Sequence, residues 1–135
     1  MTLVDTNVLL DVVTRDPIWL QWSIAALDAA SAGGRIFINA VIYAELSGRY
    51  AQIEALDTFV DGIGLELVEF PRASLFLAGK TFGRYRLSGG TRTSVLPDFF
   101  IGAQASVLDV PILTRDVRRY RTYFPSVHLI TPDLI

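Results

Sequence analysis

The stretch Thr2-Leu3-Val4-Asp5-Thr6-Asn7-Val8-Leu9-Leu10 passes from a short apolar strand-like run, through three polar residues, into an apolar helical run. Asp, Thr and Asn are all good helix caps, so the pattern predicts a strand that ends and a helix that starts at one junction. Working outward, further candidate strands lie at Ile36 to Asn39, Leu65 to Phe70, Val110 to Leu113 and Val127 to Ile130. Each is short and rich in β-branched or large apolar residues. Helix-like stretches fill the intervals, roughly over 6–13, 18–32, 40–48, 51–61, 72–87, 98–108 and 116–123, with Gly33-Gly34 and Pro111 marking ends. Alternation of this kind argues for an α/β fold in which helices cover both faces of a mostly parallel sheet. The run Val110-Pro111-Ile112-Leu113-Thr114 suits a strand buried on both sides.

With 135 residues, 51% of them hydrophobic, the sequence can bury a substantial core, and it is read as one domain over 1–135. It has no cysteine, which excludes disulfides, thiolate zinc sites and thiol nucleophiles and fits a reducing compartment, so the cytoplasm is the expected location. Charges at Asp5, Asp11, Arg15 and Asp16 leave no room for a secretory apolar segment. Uncharged runs such as 17–27 and 99–108 are too short to span a bilayer, so no membrane association is expected. The net charge of −2 hides a polarity: residues 1–71 hold 10 acids and 3 arginines, whereas residues 72–135 hold 4 acids and 9 basic residues. Such a split fits an acidic, cation-attracting pocket beside a basic, polyanion-attracting face, and it equally fits ordinary solvated charge.

Four acids stand out. Asp5 sits at the first strand–helix junction, Asp98 follows Pro97 at the start of a helix, and Asp116 closes Leu113-Thr114-Arg115-Asp116 after a late strand. Taken singly, each serves equally well as a helix cap. Glu45 is different, because Ala40-Val41-Ile42-Tyr43-Ala44-Glu45-Leu46 reads as a helix buried nearly all round, where a carboxylate needs a cation or an arginine as partner. Taken together, the acids share a logic. Two carboxylates about 4 Å apart repel by a few kcal/mol at an effective dielectric near 20, so a cleft that gathers several calls for a positive charge. All-oxygen ligands select hard cations, which points to Mg²⁺ or Mn²⁺.

Other chemistries lack parts. The only histidine, His128, falls in the last candidate strand, in a structural position, so neither a two-histidine mechanism nor a Ser-His-Asp triad can be assembled. Ser88-Gly89-Gly90 reads as a turn. Metal-assisted hydrolysis at a phosphoryl group remains. The arginines then form a candidate RNA path: Arg84, Arg86 and Arg92 flank the Gly-Gly turn, while Arg115, Arg118, Arg119 and Arg121 follow the late strand with Tyr120 and Tyr123 interleaved. Arginine pairs bidentately with phosphate and tyrosine stacks on unpaired bases, although tyrosines at this spacing also serve simply as packing.

As an ordered set, Asp-Thr-Asn-Val-Leu-Leu at the first strand, a glutamate in an apolar helix some forty residues on, Pro-Asp before a small-residue helix and Leu-Thr-Arg-Asp after a late strand resemble the PIN-domain nucleases. Among these, the sequence resembles the VapC-type toxins of toxin–antitoxin pairs. The resemblance spans essentially the whole chain and implies a three-layer α/β/α fold around a sheet of about five strands. It implies a metal-dependent endoribonuclease with Asp5 and Asp98 as principal ligands of Mg²⁺ or Mn²⁺, and with Glu45 and Asp116 binding directly or through water. Thr6 and Thr114 would be supporting hydroxyls and Asn7 a supporting or turn residue. It further implies a homodimer and a cognate antitoxin whose C-terminal segment covers the acidic cleft. Small residues in Asp98-Phe99-Phe100-Ile101-Gly102-Ala103-Gln104-Ala105-Ser106 should let that helix approach the sheet closely, and Trp19 and Trp22 offer either core or interface aromatics. Two other classes were weighed: a Mg²⁺-binding receiver-like signalling domain, which wants paired acids at the first strand and a lysine after a late one, and a noncatalytic RNA- or peptide-binding module. The only lysine, Lys80, lies inside a helix-like stretch.

Overall fold

The computed structural model describes residues 1–132, so the last three residues of the expected domain lie outside it. The described residues alternate as anticipated: β1 (Thr2–Val4), α1 (Thr6–Val13), α2 (Leu20–Gly33), β2 (Ile36–Ile38), α3 (Ala40–Ser47), α4 (Ile53–Gly62), β3 (Leu65–Leu67), α5 (Arg72–Leu87), α6 (Pro97–Leu108), β4 (Ile112–Leu113), α7 (Arg118–Tyr123) and β5 (Leu129–Ile130). The five strands form one sheet in the order β3-β2-β1-β4-β5. Every pairing is parallel, with Leu3 facing Phe37 on one side and Ile112 on the other. β1 and β2 are buried along their whole length, because a parallel sheet covered by helices on both faces leaves no wet side.

From β1 the chain moves outward through β2 to β3, then returns to the far side of β1 for β4 and β5. Right-handed crossovers in opposite directions put α1–α4 on one face and α5–α7 on the other, giving three layers. The reversal between β1 and β4 makes a topological switch point, and open α/β sheets collect ligands at the carboxyl ends of the strands beside such a point. No helix among the described residues is long and apolar enough to cross a membrane.

Elements are shorter than the sequence patterns at their polar ends. β1 stops at Val4 and β2 at Ile38 because Asp5 and Asn39 are the N-caps of α1 and α3, with Asp5 Oδ1 accepting from the Thr6 N–H at 2.7 Å and Asn39 Oδ1 from the Ile42 N–H at 3.0 Å. α7 starts at Arg118 rather than 116, because Thr114 and Asp116 are tied to each other in the preceding loop.

α6 lies deepest, with Phe99 and Ile101–Ala105 all buried. At Gly102 the close neighbour is α7: a Cβ there would overlap the ring of Phe124, which caps the C-terminal end of α7 and is itself buried. The glycine therefore makes room for α7. Gly102→Ala is expected to cost about 1–3 kcal/mol by overpacking, seen as a fall of several degrees in Tm, and Phe124→Leu in the same background should return part of that loss in a double-mutant cycle.

Candidate active site

Asp5 follows the central strand directly and is only 5% exposed. Its carboxylate receives four hydrogen bonds. Oδ1 accepts from the Thr6 N–H at 2.7 Å, and Oδ2 accepts from the Thr114 hydroxyl at 2.8 Å, the Tyr120 hydroxyl at 2.8 Å and the Asn7 amide at 3.3 Å. Asp5 is thus both a helix cap and the centre of a polar network. Asn7 donates also to Thr114 Oγ1 at 3.1 Å and accepts from the Arg115 N–H at 3.0 Å, which ties the start of α1 to the loop after β4. Thr6 turns the other way, its hydroxyl donating to Glu45 Oε1 at 2.6 Å.

Glu45 does not sit in an all-round apolar environment. In α3 only Ile42 and Leu46 are buried, an i, i+4 stripe, whereas Ala44 and Glu45 are exposed. Alanines that read as core are surface residues here, which costs little, and the burial argument for Glu45 fails. Its one tie to the β1–α1 junction among the described residues is the hydrogen bond from the Thr6 hydroxyl. Asp98 lies in the first turn of α6, where Pro97 occupies the first helical position and the helix N-terminus favours negative charge. Its Oδ2 is 3.4 Å from Arg119 Nη1. Asp116, in the loop after β4, is exposed and lines a hollow of about 310 Å³ with Arg118 and Arg119.

The arginines divide. Arg115, grouped by sequence with the RNA path, makes a bidentate ion pair with the buried Asp11, at 2.7 and 2.8 Å, and stacks on Trp19 with its guanidinium carbon 4.8 Å from the ring centre. Ser23 donates to the same Asp11 at 2.6 Å. The edge of that guanidinium is thus held by Asp11 and one face by Trp19, and Trp19, edge-on to Trp22, is part of the same cluster. Arg84 and Arg86 lie in the last turn of α5, where they complement the helix dipole, and Arg86 donates to the Arg92 carbonyl at 2.6 Å, closing the loop that leads to Asp98. Arg84, Arg92 and Arg118 are exposed. Tyr120 is buried, and Tyr123 packs edge-on against Phe99 and Tyr85, so neither is an exposed stacking platform. His128 is exposed and precedes β5 instead of lying in it.

Sequence reasoning missed three contributors. For Tyr120 the sequence leaves stacking on bases and packing both open, and gives no hint of a role at Asp5, although helical periodicity through Tyr120, Tyr123 and Phe124 marks an inward face. Asn39 and Gln104 form a buried pair, Asn39 Nδ2 donating to Gln104 Oε1 at 2.8 Å, and the Gln104 amide reaches the carbonyls of Val68 and Glu69 at 3.3 and 3.2 Å. Their signal was a polar residue ending an apolar strand and a lone amide within a small-residue helix.

The electrostatics follow from burial. Loss of water pushes the Asp5 carboxyl up to about 6, with Asp98 adding to the rise and the hydroxyls of Thr114 and Tyr120 opposing it. Asp98 is also raised, chiefly by burial, with Arg119 pulling it back and Asp116 adding to the rise. Burial, and next the charge of Asp5, hold the Tyr120 hydroxyl well above its ordinary range, so it stays a donor. Among the described residues no group of three or more acidic or histidine side chains is placed to hold a metal ion. An open set of mutually repelling carboxylates still suits Mg²⁺ or Mn²⁺, since Mg²⁺ usually takes one or two carboxylates and keeps its waters. Because the folded Asp5 holds its proton to a higher pH than an unfolded aspartate, its contribution to stability is full below about pH 4 and is lost as the pH rises through about 6. Asp5→Asn in EDTA should therefore match or exceed the parent by about 1–2 kcal/mol at pH 7.5, and the difference should shrink toward pH 4.5 in thermal melts across that range.

The model of the PIN domain matches residues 2–125. Sequence comparison with curated proteins returned no match. Among solved structures, the chain is similar to one in VapBC2 from Rickettsia felis bound to a DNA fragment from its promoter, at 18% identity and TM-score 0.74 with 98% of each chain covered. It is similar to one in VapBC-1 from nontypeable Haemophilus influenzae, at 15% identity and TM-score 0.71 with 96% of each covered. A toxin–antitoxin complex from Klebsiella pneumoniae gives 18% identity and TM-score 0.70 with 100% of each covered. At such identities the likeness shows a shared fold, while the domain match over nearly the whole length shows the family: the chain belongs to the PIN-domain family.

Proposed function

We propose that this protein is a metal-dependent endoribonuclease and the toxin of a toxin–antitoxin pair. The observation that carries the reading is the buried Asp5 at the switch point of the sheet, raised by the charge of Asp98, which is in turn raised by Asp116, in a chain of the PIN-domain family. Asp5 and Asp98 would hold Mg²⁺ or Mn²⁺, with Glu45 and Asp116 acting directly or through water. When bound, such a cation acidifies a water and draws charge from the phosphoryl oxygens. The protein's own groups do the rest. Thr6 orients Glu45, while Asn7 and Thr114 hold Asp5 and the loop of Asp116 in one arrangement.

Arg118 and Arg119 flank Asp116 and supply positive charge where an RNA backbone would enter, with Arg84, Arg86 and Arg92 at the α5–α6 side. Arg115 is left out of this set because Asp11 engages it. The toxin–antitoxin complexes that share the fold support a cognate antitoxin for this chain; an antitoxin segment over the acidic cleft, a homodimer and a cytoplasmic setting belong to the same proposal.

Purified protein incubated with total RNA should cleave it with Mn²⁺ and leave it intact in EDTA, and Asp5→Asn and Asp98→Asn should each abolish cleavage while remaining folded. Millimolar Mn²⁺ should also raise the Tm of the parent, because it binds the folded state alone. RNA that is bound but never cut under any metal would establish the noncatalytic module instead.

A further inference from the structure

Of the donors around Asp5, Tyr120 is singular. The Thr114 hydroxyl has one proton to share between Asp5 Oδ2 at 2.8 Å and the Asp116 carbonyl at 3.2 Å, and the Asn7 amide gives one of its two N–H groups to Oδ2 at the longer distance of 3.3 Å and the other to Thr114. The Tyr120 hydroxyl, on a side chain 2% exposed, donates to Asp5 Oδ2 at 2.8 Å and to that atom alone among the described residues. Three donors from α1, the β4–α7 loop and α7 thus converge on Oδ2, while Oδ1 receives the single N–H of Thr6. An ionised carboxylate oxygen has about two lone-pair sites, so Oδ2 is filled and Oδ1 retains acceptor capacity.

We propose that Tyr120 is a positioning residue: its hydroxyl commits Oδ2 of Asp5 to the protein and so reserves Oδ1 as the oxygen that meets the divalent cation. The inference rests on the metal-site reading above. It differs from a purely structural account, in which a buried tyrosine only needs some acceptor and takes the nearest one. Outer partners of ligating carboxylates orient the ligand, and their removal typically lowers metal affinity about 10–100-fold.

Tyr120→Phe keeps the ring and deletes only the hydroxyl. Titration calorimetry with MnCl₂ should give a Kd at least about 10-fold weaker than the parent's, with the Tm in EDTA within a few degrees. An unchanged Kd in the folded variant overturns the inference and leaves the metal site standing. If the variant does not fold, a crystal structure of the Mn²⁺-loaded parent decides: Mn²⁺ on Oδ1 with Tyr120 still on Oδ2 supports the assignment, and Mn²⁺ on Oδ2 overturns it. A parent protein that takes up no Mn²⁺ overturns the metal-site reading itself, and this inference with it.

Discussion

A carboxylate cut off from water at the end of the central strand has to be answered from inside the protein, and the surrounding architecture follows from how Asp5 is answered. An isolated buried charge costs far more than a folded domain can spare, so it is tolerated only where donors are fixed around it. Here the donors come from three places: the first turn of α1, the loop after β4 and the inner face of α7. β1 and β4 must therefore lie side by side, α1 must begin immediately at residue 6, and α7 must pack inward against α6. The glycine at 102 permits that last step by yielding space to Phe124.

A second polar hub supports the first. Asn7 and Asp11 stand four residues apart on α1 and so share a face. One bonds the backbone of Arg115 and the other its guanidinium. Thr114 and Asp116 thus flank a residue anchored in the opposite direction, and the loop that presents them is held at its midpoint. Breaking a buried pair of this kind by removing one partner typically costs about 3–5 kcal/mol. On the other side of β1, the Asn39–Gln104 pair links the end of β2 to α6, the helix that carries Asp98.

The fold was largely legible in the sequence because strand and helix runs alternate cleanly and polar caps sit at their junctions. Asp5, Thr6, Asn7 and Thr114 were legible for the same reason, being polar residues at strand ends. Glu45 was singled out by an argument that belongs to Asp11. Asp11, among Val8, Leu9, Leu10, Val12 and Val13, is the acid that really is buried in an apolar helix, and an arginine partner, the alternative weighed for Glu45, is what it has. Periodicity cannot tell which side of an eight-residue helix rich in alanine faces the core, since alanine is at ease on either. Nor could it show that Arg115 points away from Arg118, because the loop between β4 and α7 has no period to read.

The arrangement also bears on how an anionic substrate approaches a site of negative charge. Asp5 and Asp98 are each raised by burial and by a neighbouring acid, and Arg119, at 3.4 Å and partly exposed, offsets Asp98 only weakly. A phosphodiester arriving at this cleft alone would meet net repulsion, moderated by the arginine rim around the Asp116 hollow. On the metal-site reading, a divalent cation reverses the sign of that interaction at the carboxylates while leaving the rim untouched. Cation and polyanion then favour each other's binding, and by linkage the preference is mutual. On the same reading, Asp5 from the acidic half of the chain and Arg118 and Arg119 from its arginine-rich half act on one substrate, and the β1–β4 pairing is what sets the loop after β4 beside Asp5.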